Sequence, residues 1–343
     1  MTGATALQIW LGAGTLVSAA ALSAALIVLL SPLLRRYALA RPNARSSHRE
    51  PTPQGGGIAV IVSTFVVTVG YVGVLGGLDA SSAREVLTAL AAAILIAVVG
   101  GIDDLRPLPI APRLVLQTLA IAAMIAALPA DARIVASLPW WVERFCLALA
   151  LLWLVNLANF MDGIDWMTVA EVVPLTATVA LLGIWGIIAG PSTTLAFALL
   201  GAMLGFAPFN RPVARLFLGD VGSLPIGLLL GWLLLQLARE GEIAAALLLP
   251  LYYLADATFT LVRRMVAREP FWQAHRSHFY QRACDLGFSV VEIVGRVFAV
   301  NLLLAGLALL TVARHDPLVI AGALVVGAAL VTWLLRNLAQ KRR

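Results

Sequence analysis

Scattered through an otherwise apolar chain are a few polar residues of the types that handle phosphate. Asp103 and Asp104 are adjacent carboxylates in GGIDDLRPL. A single acid there would be an ordinary helix end meeting water, but two repel each other unless a cation or hydrogen bonds relieve them. Asp162 and Asp165, in NLANFMDGID, lie three residues apart, and Asn156 and Asn159 repeat that interval just before them. On one helix the four would form a stripe. Inside an apolar segment such a stripe either lines a cavity enclosed by protein or joins helices through their amides. Asp220 stands in GDVGS, where glycines let backbone approach a ligand and an apolar run begins. The free N–H groups of that helix start suit phosphate. A turn with an N-cap aspartate would look the same. Asp256 lies within another apolar run, as a functional acid or as the partner of Arg263.

The matching cations are His275, Arg276, His278 and Arg282, interleaved with Phe271, Trp272, Phe279 and Tyr280. A basic, aromatic segment also suits a membrane surface. Arginine gives bidentate phosphate contacts and histidine an adjustable charge. Earlier, ARPNARSSHREPTPQGGG supplies Arg45, His48 and Arg49, then two prolines and three glycines that stiffen and then free the backbone. Acids without a His/Cys cluster suit a hard divalent cation rather than zinc. Mg²⁺ takes one or two carboxylates, keeps waters and shares the rest with substrate phosphates. Phosphoryl transfer on a diphosphate compound is the chemistry these residues support.

The elements that must position them are helical and membrane-spanning. The 343 residues are 61% hydrophobic and 12% charged, half the charge of a soluble domain, which excludes a single soluble core, disorder and a disulfide scaffold. Apolar runs at 6–31, 57–77, 86–101, 113–128, 144–158, 167–189, 194–208, 221–238, 243–262, 297–312 and 318–335 predict an all-α polytopic protein of about eleven transmembrane helices. With the N-terminus periplasmic and the C-terminus cytoplasmic, nineteen of the 24 Lys and Arg fall on the inner side. Residues 1–34 carry no charged side chain, so they read as a retained first span rather than a signal peptide. Trp140 and Trp141 fall in an outer loop, as an interfacial belt places them. Cys146 and Cys284 fall on opposite sides and should not pair. The net charge of +6 follows from the membrane rather than from nucleic acid. The chain reads as a single integral membrane domain over 1–343, with loops 32–56, 102–113, 159–166, 209–220 and 263–296 forming the active site.

PTPQGGG, GGIDDLRPL, NLANFMDGID, FNRPVARLFLGDVGS and AHRSHFYQ, in that order, resemble the polyprenyl-phosphate N-acetylhexosamine-1-phosphate transferases (glycosyltransferase family 4). The phospho-MurNAc-pentapeptide translocase of peptidoglycan is a cousin. RPNARSSH and HRSHFYQ look most like the O-antigen-initiating branch. The resemblance implies that Asp220 is the principal Mg²⁺ ligand with Asn159 second, and that Asp103 and Asp104 are an acidic pair near the lipid phosphate. It implies that Asn210 and Phe217 hold uracil, that Asp162 and Asp165 shape the nucleotide and sugar pocket, and that His275, Arg276 and His278 bind pyrophosphate. His48 joins these as a substrate-binding candidate. Trp166 stands where relatives have glycine after GID, and could reshape the sugar pocket. The early lysine of the translocase is absent, as is every lysine before Lys341.

The expected reaction takes UDP-N-acetylhexosamine and undecaprenyl phosphate to undecaprenyl-diphospho-N-acetylhexosamine and UMP, with Mg²⁺ as cofactor, which Mn²⁺ could replace. It would sit in the bacterial inner membrane, face the cytoplasm and serve a cell-envelope glycan such as O-antigen. A homodimer is compatible with this reading. A secondary transporter of an anionic solute is the alternative, and would call for broken helices at matched positions of two repeated halves, which the sequence lacks. A zinc hydrolase would call for an HExxH-like site on a span, also lacking.

Overall fold

The computed structural model describes residues 3–40, 51–74, 80–270 and 275–342, so Arg45, His48, Arg49, Phe271 and Trp272 lie outside the described residues. The chain begins with α1 (Gly3–Tyr37), β1 (Leu39–Ala40) and β2 (Thr52–Pro53), followed by α2 (Gly56–Val74), α3 (Ala80–Leu105) and α4 (Ile110–Ala126). It continues through α5 (Trp140–Met161), α6 (Met167–Ile184), α7 (Gly190–Phe206) and α8 (Asp220–Arg239). The last elements are α9 (Ile243–Leu248), α10 (Leu251–Val266), α11 (Phe279–Asp285), α12 (Val290–Arg314) and α13 (Pro317–Leu338). A two-stranded antiparallel hairpin, pairing Leu39 with Pro53 and Ala40 with Thr52, is the small departure from the all-α expectation.

Eight of these helices are long and apolar enough to cross a membrane: α1, α2, α3, α5, α6, α8, α12 and α13. The protein is a polytopic helical membrane protein. Two further predicted spans, 113–128 and 194–208, coincide with α4 and α7, which have 17 residues each. At 1.5 Å per residue that is about 26 Å, short of a ~30 Å hydrocarbon core. The predicted span 243–262 is not one helix. Pro250 has no N–H, and its ring clashes with the preceding turn, so the run breaks into α9 and α10. Moreover α10 buries Tyr252, Asp256, Thr260 and Arg264 at successive fourth positions, which makes its inward face polar.

Apolar on every side, α8 takes the centre: 94% of its span window is buried, against 17% for α1 and 28% for α13. Packed around it are α2, α3, α5 and α9. The crossing with α2 is backbone to backbone, since a Cβ on Gly57 would lie 2.2 Å from the Gly222 Cα. The loops predicted to share a side meet one another. Gln54 Nε2 donates to the Asp104 carbonyl, Trp166 Nε1 to the Ala207 carbonyl and the Tyr280 hydroxyl to the Phe160 carbonyl. The remaining loops make their own pairs, Arg133 with Glu143, Arg239 with Glu85 and His315 with Glu242. Trp140 and Trp141 are exposed at the start of α5, and both cysteines are free thiols.

Candidate active site

The end of α3, the first turn of α4, the last turn of α5 and the start of α8 bring Asp103, Asp104, Arg113, Asn159 and Asp220 together. The adjacent aspartates accept from different donors. Asp103 accepts the Leu108 amide at 2.6 Å and the Arg113 guanidinium at 2.7 Å. Asp104 accepts the Asp220 and Val221 amides, both at 3.0 Å. The start of α8 is therefore closed by a carboxylate of the protein, and the expectation of an open phosphate site on these N–H groups is corrected. Gly219, at φ 78°, makes this possible: a Cβ there would lie 2.6 Å from Asp104 Oδ2.

Asp220 Oδ1 accepts from Asn159 Nδ2 at 2.7 Å, and the same nitrogen meets Ser223 Oγ at 2.9 Å. Asp220 Oδ2 has the Arg113 guanidinium 3.8 Å away. Asn159 Nδ2 is committed, which leaves its carbonyl oxygen for a ligand beside Asp220, whose carboxyl also meets that of Asp103. Arg113 Nε is buried without an acceptor among the described residues, a donor available to an anion. No group of three or more His, Cys, Asp or Glu side chains encloses a metal position among the described residues. Two oxygen ligands beside an anion-seeking guanidinium fit Mg²⁺ that is completed by waters and substrate phosphates, not a resident cage.

The predicted stripe divides. Asn156 donates to Gln117 Oε1 at 2.9 Å and joins α5 to α4 through its amide, while only Asn159 reaches the carboxylates. Because α5 stops at Met161, Asp162 and Asp165 do not share its face. Asp162 accepts from the Thr168 hydroxyl at 2.5 Å. Burial pushes its carboxyl up to about 8 against that hydrogen bond, with Asp220, Asp104 and Asp165 adding to the rise. Asp165 accepts the Ala214 amide at 2.9 Å and so holds the loop before α8.

That loop is organised by Asn210, whose carbonyl accepts the Trp166 amide at 2.8 Å and whose Nδ2 donates to the Leu216 carbonyl at 3.0 Å. Both ends of the amide are thus engaged within the protein. Trp166 has φ 61°, a left-handed conformation that explains glycine at this position in the resembled pattern, and its indole N–H donates to the Ala207 carbonyl at 2.7 Å. Half-buried Phe217 lies alongside PTPQGGG: its amide donates to the Pro53 carbonyl at 2.8 Å, and its carbonyl accepts the Gly56 amide at 2.9 Å. Beside this loop a cleft of about 860 Å³ is lined by Arg35, Pro53, Asp165, Arg215 and Ser289.

The 275–282 segment docks on α10 and on the end of α5. His275 and His278 stack with ring centroids 5.0 Å apart, and Tyr280 bonds the Phe160 carbonyl at 2.9 Å, next to Asn159. Arg276 is paired with Asp285 at 3.4 Å. Asp256 takes His278 as its partner at 3.2 Å, not Arg263. Sequence reasoning counted Arg113 only as a basic loop residue and did not single out Ser223 or Gln54. A cation in the first turn of an apolar helix, just after two acids, was the available signal for Arg113.

The glycosyl transferase family 4 model matches residues 86–238, the stretch that carries Asp103, Asp104, Arg113, Asn159 and Asp220. The chain is 27% identical, over 80% of its length and 80% of the relative's, to a probable undecaprenyl-phosphate N-acetylglucosaminyl 1-phosphate transferase of Bacillus subtilis. It is 28% identical, over 75% and 71%, to decaprenyl-phosphate N-acetylglucosaminephosphotransferase of Mycolicibacterium smegmatis. With phospho-N-acetylmuramoyl-pentapeptide-transferase of Deinococcus radiodurans it shares 30% identity over 52% of this chain and 60% of that one. The converging carboxylates and these similarities point the same way: the chain is similar to the polyprenyl-phosphate sugar-1-phosphate transferases, and its central stretch matches glycosyl transferase family 4.

Proposed function

We propose that the protein transfers an N-acetylhexosamine 1-phosphate from a UDP-sugar to undecaprenyl phosphate, releasing UMP, as the first membrane step of a cell-envelope glycan such as O-antigen. The observation that carries this reading is the junction of Asp220, Asn159 and Arg113 at the start of the central helix. The excess of Arg and Lys in the loops at that end, nineteen of 24, supports a site facing the cytoplasm with an outer N-terminus. Asp220 and Asn159 would hold Mg²⁺, which when bound offsets diphosphate charge and improves UMP as a leaving group.

Arg113, steered by Asp103, binds the lipid phosphate or the diphosphate. A lipid phosphate oxygen forms a bond to the β-phosphorus while the bond from that phosphorus to the α–β bridging oxygen breaks, and UMP departs with the electron pair. A phosphate monoester, with a second pKa near ~6, is largely dianionic at pH 7, so a general base is dispensable. This agrees with Asp103 and Asp104 both being engaged as a frame. Phe217 offers its ring to uracil, and Asn210 holds the loop that presents it. His275, Arg276 and His278 close on the diphosphate, which for Arg276 means leaving Asp285.

The test uses purified protein, undecaprenyl phosphate, Mg²⁺ and a panel of radiolabelled UDP-N-acetylhexosamines. Label moving into the lipid phase with equimolar UMP is expected for at least one sugar. Uptake of an anionic solute into vesicles without UMP release would instead identify a transporter.

A further inference from the structure

Asp256 is the most heavily committed carboxylate in the described residues, and it lies fully buried on α10, away from Asp220 and Asn159. Its Oδ1 accepts the Phe279 amide at 3.0 Å and the Thr260 hydroxyl at 3.3 Å, and faces His278 Nδ1 at 3.2 Å. Its Oδ2 accepts the Tyr280 amide and the Tyr252 hydroxyl, each at 3.3 Å. A carboxylate has about four lone-pair sites, so five donors leave none for substrate. Three of the five come from residues 278–280. The neighbouring turn of α10 holds the same segment, with Arg264 Nη1 on Ser277 Oγ at 3.0 Å and Arg263 Nη2 on the Ser277 carbonyl at 2.5 Å.

The consequence falls on His278. A carboxylate only accepts, so the bond requires the proton of the imidazole to sit on Nδ1. That leaves Nε2 as the ring nitrogen for a phosphate oxygen, as a donor when the ring is cationic. Rotation of the ring is restrained by two stacked neighbours: His275 at 5.0 Å and 29°, and Tyr280 at 5.8 Å and 26°. The Phe160 ring, beside Asn159, lies 6.4 Å from it.

We propose that Asp256 is a positioning residue for transfer: it fixes the tautomer and plane of His278, so that Nε2 rather than Nδ1 meets the diphosphate. The role rests on the transferase reading only for what His278 meets; the Asp256–His278 arrangement stands apart from it.

Two measurements on the full-length protein test this. The chain has only four histidines, so ¹⁵N-histidine labelling with a His278→Gln control isolates the His278 signal. An Nδ1-protonated ring is expected in the wild type, and its loss in Asp256→Asn. A wild-type His278 protonated on Nε2 alone overturns the proposal, whatever reaction the protein catalyses. The second measurement is a double-mutant cycle on kcat/KM for the UDP-sugar. Asp256→Asn should cost about tenfold or more in the wild type but less than about twofold in His278→Ala, because residues that act as a unit are not additive. Equal losses in both backgrounds would mean that Asp256 only props the fold, and would overturn the positioning role. If no UDP-sugar is turned over at all, the transferase reading fails while the labelling result still decides the arrangement.

Discussion

Replacing Asp104 by Asn separates scaffolding from chemistry at the start of α8. In the wild type each carboxylate oxygen accepts one backbone N–H, from Asp220 and from Val221, at 3.0 Å. Asn keeps one acceptor oxygen and turns an NH₂ group toward the other N–H. One buried donor is then unsatisfied, at about 1–3 kcal/mol. Losing the negative charge at a helix N-terminus costs about 0.3–2 kcal/mol more. The sum, roughly 1–5 kcal/mol, falls on the peptide that carries Asp220. Asp104→Asn should therefore lower the unfolding temperature in detergent measurably and weaken the Mg²⁺ dependence of turnover together with kcat. A displacement of 1 Å at a reacting group can cost about a hundredfold in rate. Asp220→Asn should do the reverse, abolishing transfer while leaving thermal stability nearly unchanged, since its carbonyl can still accept from Asn159. If Asp104→Asn unfolds at the wild-type temperature yet is inactive, Asp104 acts on substrate and the scaffolding argument is wrong.

Three further outcomes follow from the geometry. Phe217→Ala should raise KM for the UDP-sugar more than for the lipid in steady-state assays; weakened lipid use alone would remove Phe217 from the uracil. Trp166→Gly relieves a left-handed residue, worth about 1–2 kcal/mol, but loses an indole hydrogen bond worth about 1 kcal/mol and the packing of a large ring against the core, so stability should fall. Its sugar preference across the UDP-sugar panel should shift, because the 162–166 turn loses its tie to Ala207; an unchanged preference makes Trp166 packing alone. Asp162, raised to about 8 in the folded protein, binds a proton that the unfolded chain has already lost above its ordinary value of 3.8. Its contribution to stability is present below that value and is lost as pH rises toward about 8. The melting temperature of the substrate-free protein should thus fall between pH 5 and 8, and fall less steeply in Asp162→Asn.

The membrane class, the helical fold and the polar loops were legible in the sequence, because 61% hydrophobic composition and apolar runs near twenty residues admit few other solutions. Asp103, Asp104, Asn159 and Asp220 were legible as residue types that an apolar bundle carries only where they are needed. Periodicity misled where a helix ended. It grouped Asn156, Asn159, Asp162 and Asp165, but α5 stops at Met161, and the four went to Gln117, Asp220, Thr168 and Ala214. It also ran one span across Pro250, whose ring divides it. What only the tertiary structure decided is partnership: that Asp104 closes α8, that Arg113 bridges Asp103 and Asp220, and that Asp256 holds His278 rather than Arg263. Composition and period report how each segment meets lipid or protein along its own axis. A hydrogen bond between residues 116 apart depends on how the helices cross, and that is set by packing across the whole bundle.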